Sequence, residues 1–262
     1  MGETWLVTGA SSGIGAVYAN RLFRRGHKLI LVARRADRLR ALADAIISEG
    51  GEAETLAADL ADEADCRMVE KRLTEGVAGL VNNAGFGYFS PFAAGDLDRH
   101  VELLRLNAEA PMRLVHAALP AMLARRSGAI VNVGSGIVFR QIPSYASYIG
   151  SKAFLTEFTT ALAIDYADSG IRFQVAVPGV TRTEFSHVAA GTGYDGLRAA
   201  RVMEAADFVD AALAGFDQGE VVTVPALPEA ASYAAYVDAR AAVGQHVTAA
   251  KPADRYRIGG EW

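Results

Sequence analysis

The chain is predicted to form a doubly wound α/β fold, a parallel β-sheet with helices on both faces, and three observations predict it. Short apolar runs alternate along the sequence with longer amphipathic stretches of helical period. A glycine-rich turn joins the first run directly to the first helical stretch. The length, 262 residues of which 51% are apolar, supplies the core of one large domain. The expectation is a single three-layer α/β/α domain of Rossmann type over 1–262, with 227–262 as a C-terminal helical extension and tail.

In order, strands are expected at 5–7, 29–32, 80–81, 130–133, 173–177 and 221–224. Such short, uniformly apolar runs suit strands buried on both faces of a parallel sheet. Helices are expected at 13–25, 37–48, 62–75, 97–124, 146–168 and 205–217, each amphipathic. No linker, repeat or low-complexity tract divides them.

After the first strand comes Thr8-Gly9-Ala10-Ser11-Ser12-Gly13-Ile14-Gly15. Glycines there allow a tight turn and close approach of backbone to a pyrophosphate, while the following helix presents free N–H groups and a positive dipole end. The turn therefore reads as a dinucleotide cradle. The second strand ends at Val32-Ala33-Arg34-Arg35. Ala33 stands where an NAD protein usually carries a ribose-binding acid, and two guanidinium groups follow. That combination favours the 2′-phosphate of NADP over NAD.

The bulk properties narrow the partners. A net charge of −4 argues against a nucleic-acid or membrane-surface role. The single cysteine, Cys66, allows no disulfide framework and no cysteine-rich metal site, so no metal is expected. No apolar run is long enough to span a bilayer, and no secretory signal is visible, so a cytoplasmic protein is expected.

Tyr148 and Lys152 lie four apart, on one face of a helix, and Ser135 precedes the tyrosine by thirteen residues. A free phenol titrates near pH 10; a close ammonium favours the phenolate. Lowering the pKa by ~2–3 units takes about 3–4 kcal/mol, within reach of such a neighbour. The arrangement suits moving a proton on and off an oxygen.

Taken together, these motifs resemble the short-chain dehydrogenase/reductase family, in its single-domain form of about 250 residues, from Thr4 to about Pro225. The glycine loop matches the family's Thr-Gly-x3-Gly-x-Gly pattern. Asp59-Leu60 matches its adenine-contacting acid, and Asn82-Asn83-Ala84-Gly85 the motif that closes the fourth strand. Asn107 falls at the helix asparagine. Pro178-Gly179-Val180, with Thr183, resembles the segment at the nicotinamide end. The resemblance implies hydride transfer between NADP(H) and a carbonyl or alcohol, with Tyr148 as general acid or base. Lys152 would lower the Tyr148 pKa and bind the nicotinamide ribose. Ser135 would polarise the substrate oxygen, and Asn107 would hold a water that links Lys152 to solvent. It also implies a homodimer or homotetramer through the helices at 97–124 and 146–168.

Substrate contacts are expected at the carboxyl ends of the strands, in 86–95, 136–144 and 186–201. Phe86, Tyr88, Phe89, Phe92 and Phe139 could wall an apolar or aromatic substrate, or pack those loops onto the domain. Arg140 reads as a surface residue. Gly191-Thr192-Gly193 suggests a mobile stretch. One departure stands out: the last strand is followed by some 37 residues, where many family members have an Asp-Gly-Gly turn. That extension would cover the substrate pocket or a neighbouring subunit. Rival readings are a dinucleotide-sensing regulator without turnover, and an epimerase or dehydratase on a related fold.

Overall fold

The computed structural model describes residues 2–185 and 202–256. The chain forms two compact units, Met1–Pro225 and Ala226–Trp262. Seven strands of the first unit form the sheet: β1 (Thr4–Thr8), β2 (Lys28–Ala33), β3 (Ala53–Ala57), β4 (Gly79–Asn82), β5 (Gly128–Val133), β6 (Ile171–Ala176) and β9 (Val222–Thr223). All pair in parallel, in the order β3-β2-β1-β4-β5-β6-β9. The order reverses between β1 and β4, the place where an open α/β sheet leaves a crevice above its strand ends. β7 (Thr181–Arg182) and β8 (Met203–Glu204) form a separate two-stranded ladder that the sequence pattern does not reveal. β3 was likewise absent from the expected apolar runs, because this edge strand, Ala-Glu-Thr-Leu-Ala, is only half buried.

Strand periodicity builds two cores from the same strands. Leu6, Ile30, Leu80 and Ile130 point to one face, where Leu103, Leu114, Val115 and Met122 meet them. Val7, Leu31, Val81 and Val131 point to the other, against Tyr18, Leu22, Leu39, Phe208 and Leu213. The helices of the second face are α1 (Gly13–Arg24), α2 (Ala36–Ser48) and α7 (Ala205–Asp217). Those of the first are α3 (Glu63–Thr74), α4 (Leu97–Leu104), α5 (Ala110–Arg125) and α6 (Ala146–Asp165).

The stretch expected as one helix at 97–124 is two helices joined by a π-helical turn, Arg105–Glu109. A π turn takes in an extra residue and often marks a functional position. Here it holds Asn107, which is fully buried. The second unit contains α8 (Ala230–Gly244) and a 3-10 turn at Asp254–Tyr256. Among the described residues no helix is long and apolar enough to cross a membrane. Nor does any group of three or more His, Cys, Asp or Glu there have the makings of a metal site.

Candidate active site

The glycine loop leaves β1 with Gly9 and Gly13 at φ of +66° and +55°, where a Cβ is strained. A Cβ on Gly15 would collide with the Gly9 carbonyl and the Asn83 amide. These glycines keep an open backbone cradle at the N-terminus of α1. Ser12 is its N-cap with no capping bond from its side chain, so the first N–H groups of the helix lack a side-chain partner there. A dinucleotide pyrophosphate fits this cradle, and the rest of the site is arranged along it. Ile14 packs into the core behind the loop.

β4 is locked to β1 just beneath. The Asn83 backbone N–H donates to Thr8 Oγ1 (2.9 Å) and its side-chain amide to the Thr8 carbonyl (3.0 Å). Ala84 N–H shares the same threonine oxygen (3.0 Å). Asn82 donates to Asn132 Oδ1, and Asn132 to Thr159 Oγ1, both at 2.8 Å, so a buried polar chain links β4, β5 and α6. Such a chain fixes strand register because an unpaired member would be left buried without water.

Tyr148 and Lys152 share the inner face of α6 and are both buried. Burial pushes the Tyr148 phenol up to about 12, against the downward pull of the Ser135 hydroxyl. Burial also pushes the Lys152 ammonium down, to about 8. Its Nζ donates to the Val133 carbonyl (2.9 Å). The lowering of the phenol pKa by Lys152, expected from the spacing, is not found: burial is the largest influence on the phenol, and the ammonium is held by the Val133 carbonyl. Ser135 caps the 3-10 turn Gly136–Phe139 and accepts from Ile137 N–H (3.3 Å).

Asn107 reaches the same interior from the π turn. Its amide donates to the Phe86 carbonyl (2.9 Å) and to Ser151 Oγ (3.3 Å), and its oxygen accepts from Phe86 N–H (3.1 Å). Gly85 lies between: a Cβ there would come within 2.9 Å of the Asn107 oxygen and 3.6 Å of Lys152 Nζ. The glycine of the Asn-Asn-Ala-Gly run thus makes room for two predicted site residues.

The segment after β6 closes the far side. Gly136 N–H donates to the Pro178 carbonyl (2.8 Å). Gly179 and Val180 are exposed, and Thr183 comes close enough to Gly13 that a Cβ there would touch it at 3.1 Å. At the other end the two arginines separate. Arg34 turns towards Asp59 (3.5 Å), whose neighbour Leu60 belongs to the core. Arg35 lies over the glycine loop and donates to Ser11 Oγ (3.0 Å) and Ser12 Oγ (2.7 Å).

Sequence reasoning missed two groups here, Glu184 and Phe185, and left the role of Phe89 open. Glu184 bridges Arg35 (2.8 Å) and Arg38 (2.6 Å), and these guanidinium groups hold its carboxyl down at about 2. Phe185 packs against Tyr148, ring centroids 5.8 Å apart. Phe89 meets Tyr148 edge-on (5.5 Å) and stacks on Tyr145 (4.0 Å). The available signals were position only: Arg38 one helical turn beyond Arg35, and Glu184-Phe185 directly after Thr183. Of the loop aromatics, Phe86 is buried beneath the Arg99 guanidinium. Tyr88 accepts from Asp96 N–H (2.9 Å) and packs on His100. These two hold the loop, whereas Phe89 faces the tyrosine. The expected substrate segment 186–201, with Gly191-Thr192-Gly193, lies outside the described residues.

Known proteins share the sequence pattern and the fold of this chain. The family model for short chain dehydrogenases matches residues 3–191. A short-chain dehydrogenase from Sphingobium yanoikuyae, solved in complex with NADPH, is 42% identical, covers 97% of this chain and 100% of its own, and superposes with a TM-score of 0.93. The bulky-bulky ketone specific alcohol dehydrogenase from Comamonas testosteroni is 35% identical over 97% of this chain and 98% of its own, TM-score 0.87. A fatty acyl-CoA reductase of Mycobacterium tuberculosis is 35% identical over 216 residues, 79% of this chain and 72% of the relative. The human inactive hydroxysteroid dehydrogenase-like protein 1 is 33% identical over 71% of this chain, which spans 58% of that relative. With a family match running from β1 past the Pro178 segment, and neighbours alike over nearly their full length, the chain belongs to the short-chain dehydrogenase/reductase family of oxidoreductases.

Proposed function

We propose that the chain is a cytoplasmic NADP-dependent carbonyl reductase that reduces ketones or aldehydes bearing apolar or aromatic groups, and oxidises the corresponding alcohols. One observation carries this reading: a buried phenol beside a serine hydroxyl, at the open end of a glycine cradle whose other end carries Arg35. A bound nicotinamide would supply or accept the hydride. Tyr148 delivers the matching proton to the substrate oxygen. Burial keeps the phenol in its protonated form, the form that can donate to a substrate oxygen. Lys152, still charged below pH about 8, steadies the phenolate as it forms. Ser135 orients the oxygen, and Asn107 holds the Phe86 loop against α6 and supports a water route to Lys152.

Arg35 and Arg34 favour the 2′-phosphate, and the NADPH complex of the Sphingobium protein supports the same choice. Phe89 and Phe185 form an apolar wall around Tyr148, in keeping with the ketone preference named for the Comamonas enzyme. The test is NADPH consumption against a panel of ketones and aldehydes, run on the parent and on Tyr148→Phe. Turnover is expected from the parent, with a loss of roughly 10³-fold or more in the variant at nearly unchanged NADPH affinity. A variant that works at the parent rate removes Tyr148 from the chemistry. A parent that binds NADPH tightly and reduces nothing favours the sensing role.

The same reading includes a homodimer or homotetramer. Val101, Leu104, Met112 and Phe154 leave a shallow apolar groove of about 370 Å³ on the α4–α5 and α6 surface. A second copy of the chain is its expected occupant. Leu104→Glu should then lower the mass seen by light scattering to that of one chain; a parent already running as one chain overturns the assignment.

A further inference from the structure

We infer that Glu184 is an intramolecular competitor for the 2′-phosphate of the dinucleotide, and so a residue with which this chain limits its own NADPH affinity. The inference rests on the cofactor reading above and goes beyond it. Arg35 and Arg38 begin α2 one turn apart, and each gives one nitrogen to a different oxygen of the Glu184 carboxylate. The remaining nitrogens of Arg35 are tied to the hydroxyls of Ser11 and Ser12 in the glycine loop. Two guanidinium groups and two hydroxyls beside a helix N-terminus make an anion site. The anion in it is this chain's own carboxylate, brought from 149 residues beyond Arg35.

A phosphate monoester carries more negative charge than a carboxylate and has more acceptor oxygens. It therefore displaces Glu184, at the loss of both charge-assisted bonds, or binds beside it against its repulsion. Either route weakens NADPH binding and leaves NADH, which has no 2′-phosphate, untouched. The arginines keep the carboxyl ionised throughout the neutral range, so the competition does not fade with moderate acidification. Arg35, Arg38 and Glu184 are each about half exposed, which keeps the effect modest.

The experiment measures dissociation constants of NADPH and NADH by calorimetry at low salt, for the parent, Glu184→Gln and Glu184→Ala. Both variants are expected to bind NADPH roughly 3–10-fold more tightly and NADH within about twofold of the parent, the gain shrinking in high salt. The alanine variant guards against a glutamine amide that keeps a bond to Arg35. Unchanged or weaker NADPH binding in both variants overturns the inference and makes Glu184 a prop for the arginines. A parent that prefers NADH overturns the cofactor reading, and this inference with it.

Discussion

The two ends of the cradle handle charge in opposite ways. Tyr148 and Lys152 lie out of water, among aromatic rings, the Ser135 hydroxyl and the Val133 carbonyl, and burial drives both groups towards their neutral forms. At Arg35, Arg38 and Glu184 the groups stand half in water, and pairing drives Arg38 and Glu184 towards their charged forms. The first end holds its two titratable groups by burial. The second is an adjustable clamp whose strength depends on what else competes for it. Mutations at the first should therefore alter stability and chemistry together, and at the second affinity alone.

Lys152→Met tests the buried end most severely. The folded-state pKa of Lys152 lies below its usual 10.5, so the charged form is disfavoured in the native chain. That cost is fully present below pH about 8 and is relieved as pH rises towards 10.5, because the unfolded chain binds the extra proton in that window. The methionine variant should lose turnover by roughly 10²-fold or more and yet gain on the order of 1–3 kcal/mol of stability at pH 7. The gain should vanish by pH 10.5. Chemical denaturation at both pH values checks it, and a variant less stable than the parent at pH 7 breaks the contrast.

Arg35→Ala asks for less. NADPH affinity should fall roughly tenfold and NADH affinity should hardly change. Thermal stability should stay within about 1 °C, since the pairs it loses are exposed. A large drop in melting temperature would show that Arg35 ties the glycine loop to α2 as a structural bond, which would sharpen the comparison differently.

Much of this was legible beforehand where a residue type has one physical use. Gly9, Gly13 and Gly15 announce a backbone approach, and the alternating apolar runs placed six of the seven sheet strands. The convergence of Ser135, Tyr148, Lys152, Asn107 and the Pro178 segment followed from the family pattern. What spacing could not reveal was the balance of opposing forces. The interval from Tyr148 to Lys152 suggests attraction, but not the depth of burial that reverses the shift, nor the Val133 carbonyl that takes the ammonium. Glu184 was hidden for a different reason: its partners lie on α2, and only the folded crossover after β6 brings them together.

The wide turn at Arg105–Glu109 also has a meaning for how such chains diverge and can be recombined. One additional residue in a helix rotates everything after it by about 100°. The stripe that α5 offers to the sheet is thus out of phase with the stripe of α4, and the two are matched only while the turn stays whole. A hybrid spliced inside it and rewound as plain α-helix would aim Leu114 and Ala118 away from the core and withdraw Asn107 from Phe86. The joint between the helices is therefore inherited as a unit, and safe crossover points lie on either side of it.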